Sequence, residues 1–506
     1  MKFYVKNGGR LILMRFDTGA FGSKWCGVWR PPLKLIEYWA FKVDDEWLSP
    51  QNCMGFDGKR HLYELKGMRV EEEVLVGDGV KIRLRFKGKK KGKVKVQMEV
   101  GINIRRWEEN AHDRRYEVVG KRDGFLVKNE LGSVRVGGGK FLRGGLYRRH
   151  FPGAYHDWDW LEEEQSVFVP GILEKEVDLR KVKEVTFYIE KRDFEPREMG
   201  FGYLSDFGFC YLAGFPWFLQ FWTRDACFIM LNEIKKGNLK AVKEALLTIS
   251  KFERDGEIPT KIELDGKAYY YSVDVPGLFV IALCRYLEAS KDKKMREKMR
   301  GLVNRILRKR MEGLIESYGK DTWMDSLERD GYCLDVQSVW AEAFRSAGKV
   351  YGRADWARRG EEIVRVINEE FWTGDFLLDR LGEDDITANA LFPLFFKQLP
   401  KDKARKVLKR LESEEFTTER GIRCRSSEDE LYDPDEYHLG RVWGLLTGMM
   451  IVAEENYGRA EKAKKYKEII ERNKGSRCID GVDETYDGDS LIPMGCCKQA
   501  WSEVWV

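Results

Sequence analysis

The pattern of hydrophobic and polar positions along the chain changes near residue 196. Before that point, short runs rich in strand-forming residues are separated by glycine and aspartate, which predicts β-strands. The clearest runs are 10–16, 70–76, 80–86, 94–100 and 185–189. Because many short strands are typical of two packed antiparallel sheets, we predict a β-sandwich domain over residues 1–195.

From residue 196 onwards the apolar positions recur with a helical period, and two kinds of helix alternate. Six segments are apolar on nearly every side: 217–234, 276–287, 336–347, 388–396, 442–453 and 496–506. Five others are amphipathic and highly charged: 239–251, 294–310, 354–370, 403–411 and 460–472.

A helix that is apolar all round is buried, whereas an amphipathic helix keeps one face in water. The alternation therefore predicts an inner and an outer ring of helices, an (α/α)6 barrel over residues 196–506. Its twelfth helix is either the stretch 204–212 or missing. The predicted fold class is α+β and multidomain, with the β-sandwich ahead of the barrel.

Acidic or polar residues recur at or just before the starts of the inner helices, in loops that we call the rim. They are Asp225, Asp274, Asp325, Asp385, His438 and Glu484, spaced by 46 to 60 residues, about one helical hairpin each time. Aromatic residues occur in the same places: Trp217, Trp222, Trp323, Trp340 and Tyr486. Parallel inner helices would bring these loops to one end of the ring. Paired carboxylates with aromatic platforms are typical of a glycoside hydrolase site.

Some rim acids have a simpler explanation, because aspartate is favoured as an N-cap just before a helix. Asp274, which precedes V-P-G-L-F, fits that role. Asp325 and Glu484 fit it less well, since each lies in an aromatic-rich loop.

The stretch 481–490 reads G-V-D-E-T-Y-D-G-D-S and crowds four carboxylates together. A calcium-binding EF-hand loop starting at Asp483 would place Gly488 at position 6, but Met494 falls at position 12, where a bidentate glutamate is required. We therefore predict no metal, while another type of calcium or magnesium site stays open. We expect Asp483 to be solvated, and Asp487 and Asp489 to orient the loop or contact a ligand.

Composition narrows the classes of protein. Charged residues make up 34% of the chain, with 89 basic against 84 acidic, which favours a thermophile's surface of interspersed ion pairs. A net charge of +5 argues against nucleic-acid binding, so we interpret the lysine-rich stretch 87–96 as a hairpin turn. The aromatic-rich stretch 150–160 favours a packing or inter-domain loop over a site.

The chain lacks an apolar signal segment at its start and any long apolar run, which predicts no association with a membrane. Its ten cysteines lack zinc-type spacing. Free thiols in a reducing cytoplasm are the simplest interpretation.

Five segments, in order, resemble motifs of the amylo-α-1,6-glucosidase domain of glycogen debranching enzymes. Residues 213–225 resemble A-G-Y-P-W-F-x-x-W-G-R-D, and 322–326 resemble T-W-M-D-A. Residues 335–340 resemble E-I-N-A-L-W, and 437–443 resemble Y-H-N-G-T-V-W. Residues 484–502 resemble E-I-F-D-G-D followed by P-R-G-C-x-A-Q-A-W-S. That family also carries a β-sandwich ahead of an α/α barrel.

The resemblance implies an inverting, exo-acting α-glucosidase without a cofactor, with Asp325 as general acid and Glu484 as general base. It implies that Arg224 and Asp225 bind the hydroxyls of the terminal sugar of an oligosaccharide or small glucoside. The rim and the matched motifs supply further candidates for substrate contact: Trp217, Trp222, Asp274, Trp323, Asp335, Gln337, Trp340, Asn389, His438, Tyr486, Asp487, Asp489, Gln499 and Trp501.

Elementary chemistry agrees with those roles. A general acid must stay protonated near neutral pH, so its pKa must be raised by burial, and Asp325 follows Trp323 and Met324. Inversion needs a gap of about 6.5–9.5 Å between the two carboxyl groups, wide enough for the attacking water.

The chain departs from the family pattern at four places: Thr223 replaces Gly, Ile386 begins I-T-A instead of L-R-P, Leu439 replaces Asn, and Met494 precedes Gly495 where the family has Arg. The chemistry is therefore better supported than the substrate. Alternatives on the same fold are a glucoamylase, a trehalase or a hydrolase of small glucosyl or mannosyl solutes. A phosphorylase should show a basic or hydroxyl cluster near Glu484, but this loop is acidic. An epimerase should use histidines, and only His438 is on the rim. A non-catalytic sugar-binding protein would show no turnover.

Overall fold

The structure is a computed structural model that describes residues 1–106, 109, 114–150 and 165–505. The aromatic-rich stretch 150–160 lies outside the described residues, apart from the backbone of His150. The chain divides into two compact units. The first consists of Met1–Leu204 and Arg477–Ile479, and the second of Ser205–Ser476 and Asp480–Val506. The division thus lies a few residues beyond the boundary expected from the change of period.

The described residues of the first unit form two eight-stranded sheets. The strands are β1 (Phe3–Asn7), β2 (Ile12–Phe16), β3 (Gly27–Arg30), β4 (Leu33–Val43), β5 (Glu46–Trp47), β6 (Cys53–Phe56), β7 (Arg60–Leu65), β8 (Met68–Val76), β9 (Val80–Gly88), β10 (Lys93–Arg106), β11 (Glu117–Lys121), β12 (Gly124–Lys128), β13 (Ser133–Gly137), β14 (Lys140–His150), β15 (Gln165–Asp178) and β16 (Glu184–Ile189). One sheet has the order β1-β2-β3-β4-β10-β15-β14, with β5 beside β4, and the other β11-β12-β13-β16-β9-β8-β7-β6.

The antiparallel sheets predicted for this half are confirmed. Their alternating apolar residues meet between the sheets, where Phe41 of β4 lies 5.3 Å from Phe187 of β16 between ring centroids. The buried Arg15 of β2 also reaches across to Glu72 of β8 at 2.9 Å. The lysine-rich stretch joins β9 in one sheet to β10 in the other, so the hairpin interpretation of it is wrong. Its Lys90 pairs with Asp44 at 2.7 Å.

The second unit is mainly helical. Its helices are α1 (Thr223–Lys235), α2 (Leu239–Ser250), α3 (Val275–Ser290), α4 (Lys293–Arg308), α5 (Leu334–Tyr351), α6 (Ala354–Glu369), α7 (Leu391–Phe395), α8 (Lys401–Leu411), α9 (Gly444–Asn456), α10 (Ala460–Asn473) and α11 (Ala500–Glu503). Strand β17 (Gly202–Ser205) crosses the division between the units. Short strands precede or join the helices: β18 (Gly208–Tyr211), β19 (Gly214–Phe215), β20 (Phe221–Trp222), β21 (Lys261–Ile262), β22 (Ala268–Tyr269), β23 (Ile422–Arg423), β24 (Val442–Trp443), β25 (Thr485–Tyr486), β26 (Pro493–Met494) and β27 (Lys498–Gln499).

The odd-numbered helices form a ring. Each of α1, α3, α5, α7 and α9 contacts the next, and α11 contacts α1. Helix α3 is buried over most of its length, whereas α4 buries only a stripe that includes Met295, Met299 and Val303. This difference follows from their sequences, because α3 is apolar on all sides and α4 carries charge on one face.

Four predicted helices differ from the structure. The one predicted over 217–234 begins only at Thr223, because Phe221–Trp222 pair as β20 with β21. The stretch 204–212 holds β17 and β18 instead of a twelfth helix, and the intervening Gly208 has a φ of 142°. The last inner helix is confined to Ala500–Glu503 among the described residues, because the segment before it pairs as β27 with β19. Helix α7 has only five residues and is preceded by a 3₁₀ turn over Ala388–Ala390.

None of the helices formed by the residues that the structure describes combines the length and hydropathy needed to cross a bilayer.

Candidate active site

Three of the ring helices begin directly after a two-residue strand. Strand β20 ends at Trp222 before α1, β24 ends at Trp443 before α9, and β27 ends at Gln499 before α11. The strands fix the backbone just before each helix, so side chains in the first helical turn take defined positions at the rim. Arg224 and Asp225 lie in the first turn of α1.

Arg224 is the centre of a buried charge cluster. Its Nε and Nη2 atoms donate to the two carboxylate oxygens of Asp274 at 2.8 and 3.0 Å. Nη2 also donates to Ser272 Oγ at 3.1 Å and to the Thr322 carbonyl at 3.0 Å. Its Nη1 lies 3.9 Å from Asp325 Oδ2. One guanidinium thus ties together three successive rim loops.

Asp274 occupies the N-cap position of α3, but its side chain makes no capping hydrogen bond. Both of its carboxylate oxygens are taken by Arg224. The N-cap explanation is therefore wrong for this residue, and its role is to neutralise the buried guanidinium.

Asp325 is the most open acid of this cluster, with 35% of its side chain exposed. Burial raises the pKa of its carboxyl, Arg224 opposes that rise, and the nearby Asp274 adds to it. A carboxyl that is partly open and has a raised pKa has the properties required of a proton donor.

Glu484 is buried and firmly held. The Tyr437 hydroxyl donates to its Oε1 at 2.5 Å, and the Cys496 backbone N–H donates to its Oε2 at 2.9 Å. Burial raises the pKa of this carboxyl, while the bonds from Tyr437 and Cys496 and the charge of Arg441 oppose the rise. Gly495 has a φ of 65° and leaves no room for a side chain, since an added Cβ would come within 2.6 Å of Glu484 Oε2.

Asp225 interacts electrostatically with both Asp325 and Glu484. Burial raises its pKa to about 8; Arg224 opposes the rise, and Glu484 and Asp325 contribute to it. Gln499 Nε2 donates to Asp225 Oδ1 at 3.0 Å, which links the start of α11 to the start of α1. The structure therefore brings Arg224, Asp225, Asp325 and Glu484 into one interacting group.

Four of the predicted substrate-binding residues have polar atoms engaged by the protein interior. Asp335 binds Arg329 through two bonds of 2.8 and 3.1 Å, and Gln337 exchanges two bonds with the backbone of Ile315. Trp340 donates to the Val273 carbonyl at 3.0 Å. Asn389 accepts from Trp323 Nε1 at 2.7 Å and donates to Asp379. All four side chains are buried.

Aromatic rings surround the rim acids. His438 stacks on Trp443 with the planes 7° apart, and Trp323 meets His438 edge-on at 5.2 Å. Burial lowers the pKa of His438 well below its ordinary value, so its imidazole is neutral. Trp217 and Trp222 are half-buried, and the Lys261 ammonium lies 5.3 Å from the Trp222 ring.

The carboxylates after Glu484 have different surroundings. Asp487 accepts from the backbone and hydroxyl of Ser490, which orders its own turn, and Asp489 is exposed and accepts from Tyr432 at 2.7 Å. Tyr486 is buried, with Arg420 over its ring at 5.4 Å. Asp483 is buried, so the expectation that it is solvated is wrong. Among the residues that the structure describes, no group of three or more His, Cys, Asp and Glu side chains could hold a metal ion.

Several buried polar atoms of the rim loops and nearby helices have no hydrogen-bond partner among the residues that the structure describes. They are Trp222 Nε1, Thr223 Oγ1, His438 Nε2, Arg441 Nη1, Gln499 Oε1 and Trp501 Nε1. Buried polar groups in proteins are nearly always paired. These six atoms are enclosed by protein, so an ordered water or a local rearrangement is needed to complete their hydrogen bonds.

Tyr437 and Arg441 are candidate functional residues that the sequence reasoning missed. The Arg441 guanidinium lies 5.6 Å over the Tyr437 ring, and Tyr437 bonds to Glu484. The only sequence signal was their position inside the motif at 437–443, since the pairing with Glu484 joins positions 47 residues apart.

The whole chain is similar in fold to a bacterial glucoamylase solved in complex with acarbose. The TM-score is 0.68 at 13% identity, and the match covers 100% of this chain and 92% of the other. A GH63 mannosylglycerate hydrolase from Thermus thermophilus matches 58% of this chain and 94% of its own, with a TM-score of 0.47 at 14% identity. No curated protein matches the sequence.

The chain thus has a fold similar to that of the bacterial glucoamylase. The sequence pattern described as amylo-alpha-1,6-glucosidase matches residues 188–506, and the chain belongs to that family.

Proposed function

We propose that this protein is an inverting, exo-acting glycoside hydrolase that releases glucose from α-linked glucosides, with α-1,6-linked branch stubs as its substrate. The observation that carries the proposal is the pair of unlike carboxyl groups on the rim. Asp325 is partly open and beside Arg224, whereas Glu484 is buried and held by two hydrogen bonds. Family membership supports the same chemistry.

In this mechanism Asp325 gives its proton to the glycosidic oxygen as the bond from that oxygen to the anomeric carbon breaks. Glu484 accepts a proton from a water that attacks the anomeric carbon from the opposite face. The products are the free alcohol and the sugar with inverted configuration. Asp325 is then ionised and Glu484 protonated, and exchange with water restores both.

The hydrogen bonds on Glu484 suit a base, because donors to a carboxylate favour its ionised form and oppose the effect of burial. Asp225, with a pKa near 8, can donate as well as accept a hydrogen bond at neutral pH. We assign Asp225 and Gln499 to the hydroxyls of the terminal sugar, with Trp222 beneath its ring. The hydrogen bond of 3.0 Å from Gln499 Nε2 to Asp225 Oδ1 supports the assignment of these two residues to one group.

We interpret the ring of odd-numbered helices as the inner layer of an (α/α)6 barrel in which α2, α4, α6, α8 and α10 form an incomplete outer layer. We also propose that the enzyme works in a cytoplasm and that its surface is adapted to high temperature. The buried thiols of Cys26, Cys210 and Cys284, which form no disulfide, support a reducing compartment. Surface ion pairs such as Arg305–Glu253 support the second proposal.

The test is a panel of α-linked disaccharides and a limit dextrin, with the released sugar followed by NMR in the first minutes. Release of β-glucose supports inversion, and the preferred substrate identifies the linkage. Release of α-glucose overturns the mechanism. A sugar phosphate formed only with added phosphate would identify a phosphorylase. Wild-type protein that binds glucosides but never turns them over, with affinity unchanged by Glu484→Gln, would identify a sugar-binding protein.

A further inference from the structure

The loop that carries Asp325 is anchored to a buried ion-pair cluster that does not include Asp325 itself. We infer that the Arg329 cluster, defined here as Arg329, Asp335, Asp379, Thr387 and Asn389, is a positioning device that aims the Asp325 carboxyl at the glycosidic oxygen. This inference rests on the proposed function, since it assumes that Asp325 is the proton donor.

The core of the cluster is a guanidinium between two carboxylates. Arg329 donates to Asp335 at 2.8 and 3.1 Å and to Asp379 at 2.9, 3.0 and 3.2 Å. Asp379 also accepts from Thr387 Oγ1 and Asn389 Nδ2, each at 2.6 Å. All five residues are buried. A buried ion network with every group paired has one low-energy arrangement, because any displacement leaves a charge unpaired.

The cluster holds each of the three residues that precede Asp325. Thr322 Oγ1 accepts from Arg329 Nη1 at 3.0 Å and from the Met324 backbone N–H at 3.3 Å. Trp323 Nε1 donates to Asn389 Oδ1 at 2.7 Å, and Asn389 Nδ2 lies 3.2 Å from Met324 Sδ.

The loop is held from its other side as well. The Thr322 carbonyl accepts from Arg224, the residue that also lies 3.9 Å from Asp325. Asp325 itself keeps 35% of its side chain exposed. The backbone before Asp325 is therefore fixed while its carboxyl stays open to a substrate.

This arrangement explains why Asp335 occurs within a sequence motif of the site although its polar atoms face a protein partner. A misplacement of about 1 Å in a catalytic group can cost about 100-fold in rate. Residues that fix the acid need not touch the sugar.

The test uses two substrates that differ in their need for an acid. The leaving group of an α-1,6-linked oligosaccharide is an alcohol, which needs a proton from the acid as it departs. The leaving group of α-glucosyl fluoride is a fluoride ion, which departs without one. Thr322→Val keeps the shape of the side chain but removes the hydroxyl that Arg329 and Met324 use. We expect kcat on the oligosaccharide to fall between about 10- and 100-fold, with less than about a 3-fold change on the fluoride.

Thr322→Ser restores the hydroxyl and should restore the oligosaccharide rate. Asn389→Leu, which removes the anchor of Trp323, should reproduce the selective loss and serves as a second variant if Thr322→Val does not fold. Ser338→Ala is the matched control. Ser338 lies on α5 outside the Arg329 cluster, and this substitution removes its buried hydrogen bond of 2.8 Å to Gln398. It should lower the melting temperature without altering the ratio of the two rates.

The positioning role would be overturned if kcat fell equally on both substrates, or if neither Thr322→Val nor Asn389→Leu lowered it. Either result would leave the proposed function intact. Wild-type protein that hydrolyses neither substrate would overturn both.

Discussion

The Tyr437 hydroxyl lies 2.5 Å from Glu484 Oε1; Glu484 is buried and Tyr437 is half-buried. A donor at this distance favours the ionised carboxylate, which is the form a general base needs. The pairing also explains the Tyr437 position of the motif at 437–443, because it brings a hydroxyl from the loop before α9 to Glu484, which precedes β25.

Tyr437→Phe should shift the pH dependence of the reaction. The hydroxyl lowers the pKa of Glu484 against the effect of burial, so its loss raises that pKa. Because the base must be ionised, the acid limb of the profile of kcat/KM should move to higher pH. Steady-state rates from pH 4 to pH 9 measure the shift. An unchanged acid limb would show that Tyr437 does not influence the ionisation of Glu484.

Asp325→Asn should remove the proton donor and keep the side-chain shape. General acid catalysis contributes about 10²- to 10⁴-fold, so kcat on an oligosaccharide should fall by that amount while glucosyl fluoride is affected far less. Asp402→Asn, at an exposed position in the first turn of α8, is the control and should retain wild-type rates. Wild-type activity in Asp325→Asn would assign the acid to another residue.

Asp274→Ala should destabilise the second unit strongly, because it leaves the buried Arg224 guanidinium without its partner. Breaking a buried ion pair in this way costs about 3–5 kcal/mol in the free energy of unfolding. Asp292→Ala is a useful comparison, since Asp292 does cap α4 by accepting from Met295 N–H at 3.0 Å. Loss of this more exposed cap should cost much less than loss of the buried partner of Arg224. Urea unfolding of both variants tests the contrast, and similar costs would contradict the pairing role of Asp274.

Glu454 should make stability depend on pH. This side chain of α9 is buried beside Glu412, and burial raises its pKa from 4.5 to about 8, with Arg459 opposing. A carboxyl whose pKa is higher in the folded state stabilises the fold at low pH, and that contribution is lost as pH rises from about 4.5 through about 8. Glu454→Gln mimics the protonated form, so the fall in melting temperature between pH 5 and pH 8 should become smaller. An identical fall in both proteins would show that another group is responsible.

Much of the architecture could be predicted from the sequence. The change from a strand period to a helical one separated the sheets from the helices, and the alternation of apolar and charged helices matched their burial in α3 and α4. Such patterns are readable because each residue's face is set by its own element. Where short strands replaced helical turns, at 204–212 and before α11, the periodicity misled, since strand pairing overrode local preference.

For the candidate site, too, some features could be predicted from the sequence and others depend on tertiary packing. The sequence by itself predicted the acids and aromatic residues of the rim, because their positions before successive helices repeat along the chain. Only the tertiary structure decided their partners: Asp274 neutralises Arg224, Tyr437 donates to Glu484, and Asp335 and Asn389 belong to the Arg329 cluster. These pairings join residues far apart in sequence, and the burial that shifts the pKa values of Asp225, Asp325 and Glu484 exists only once the loops pack together.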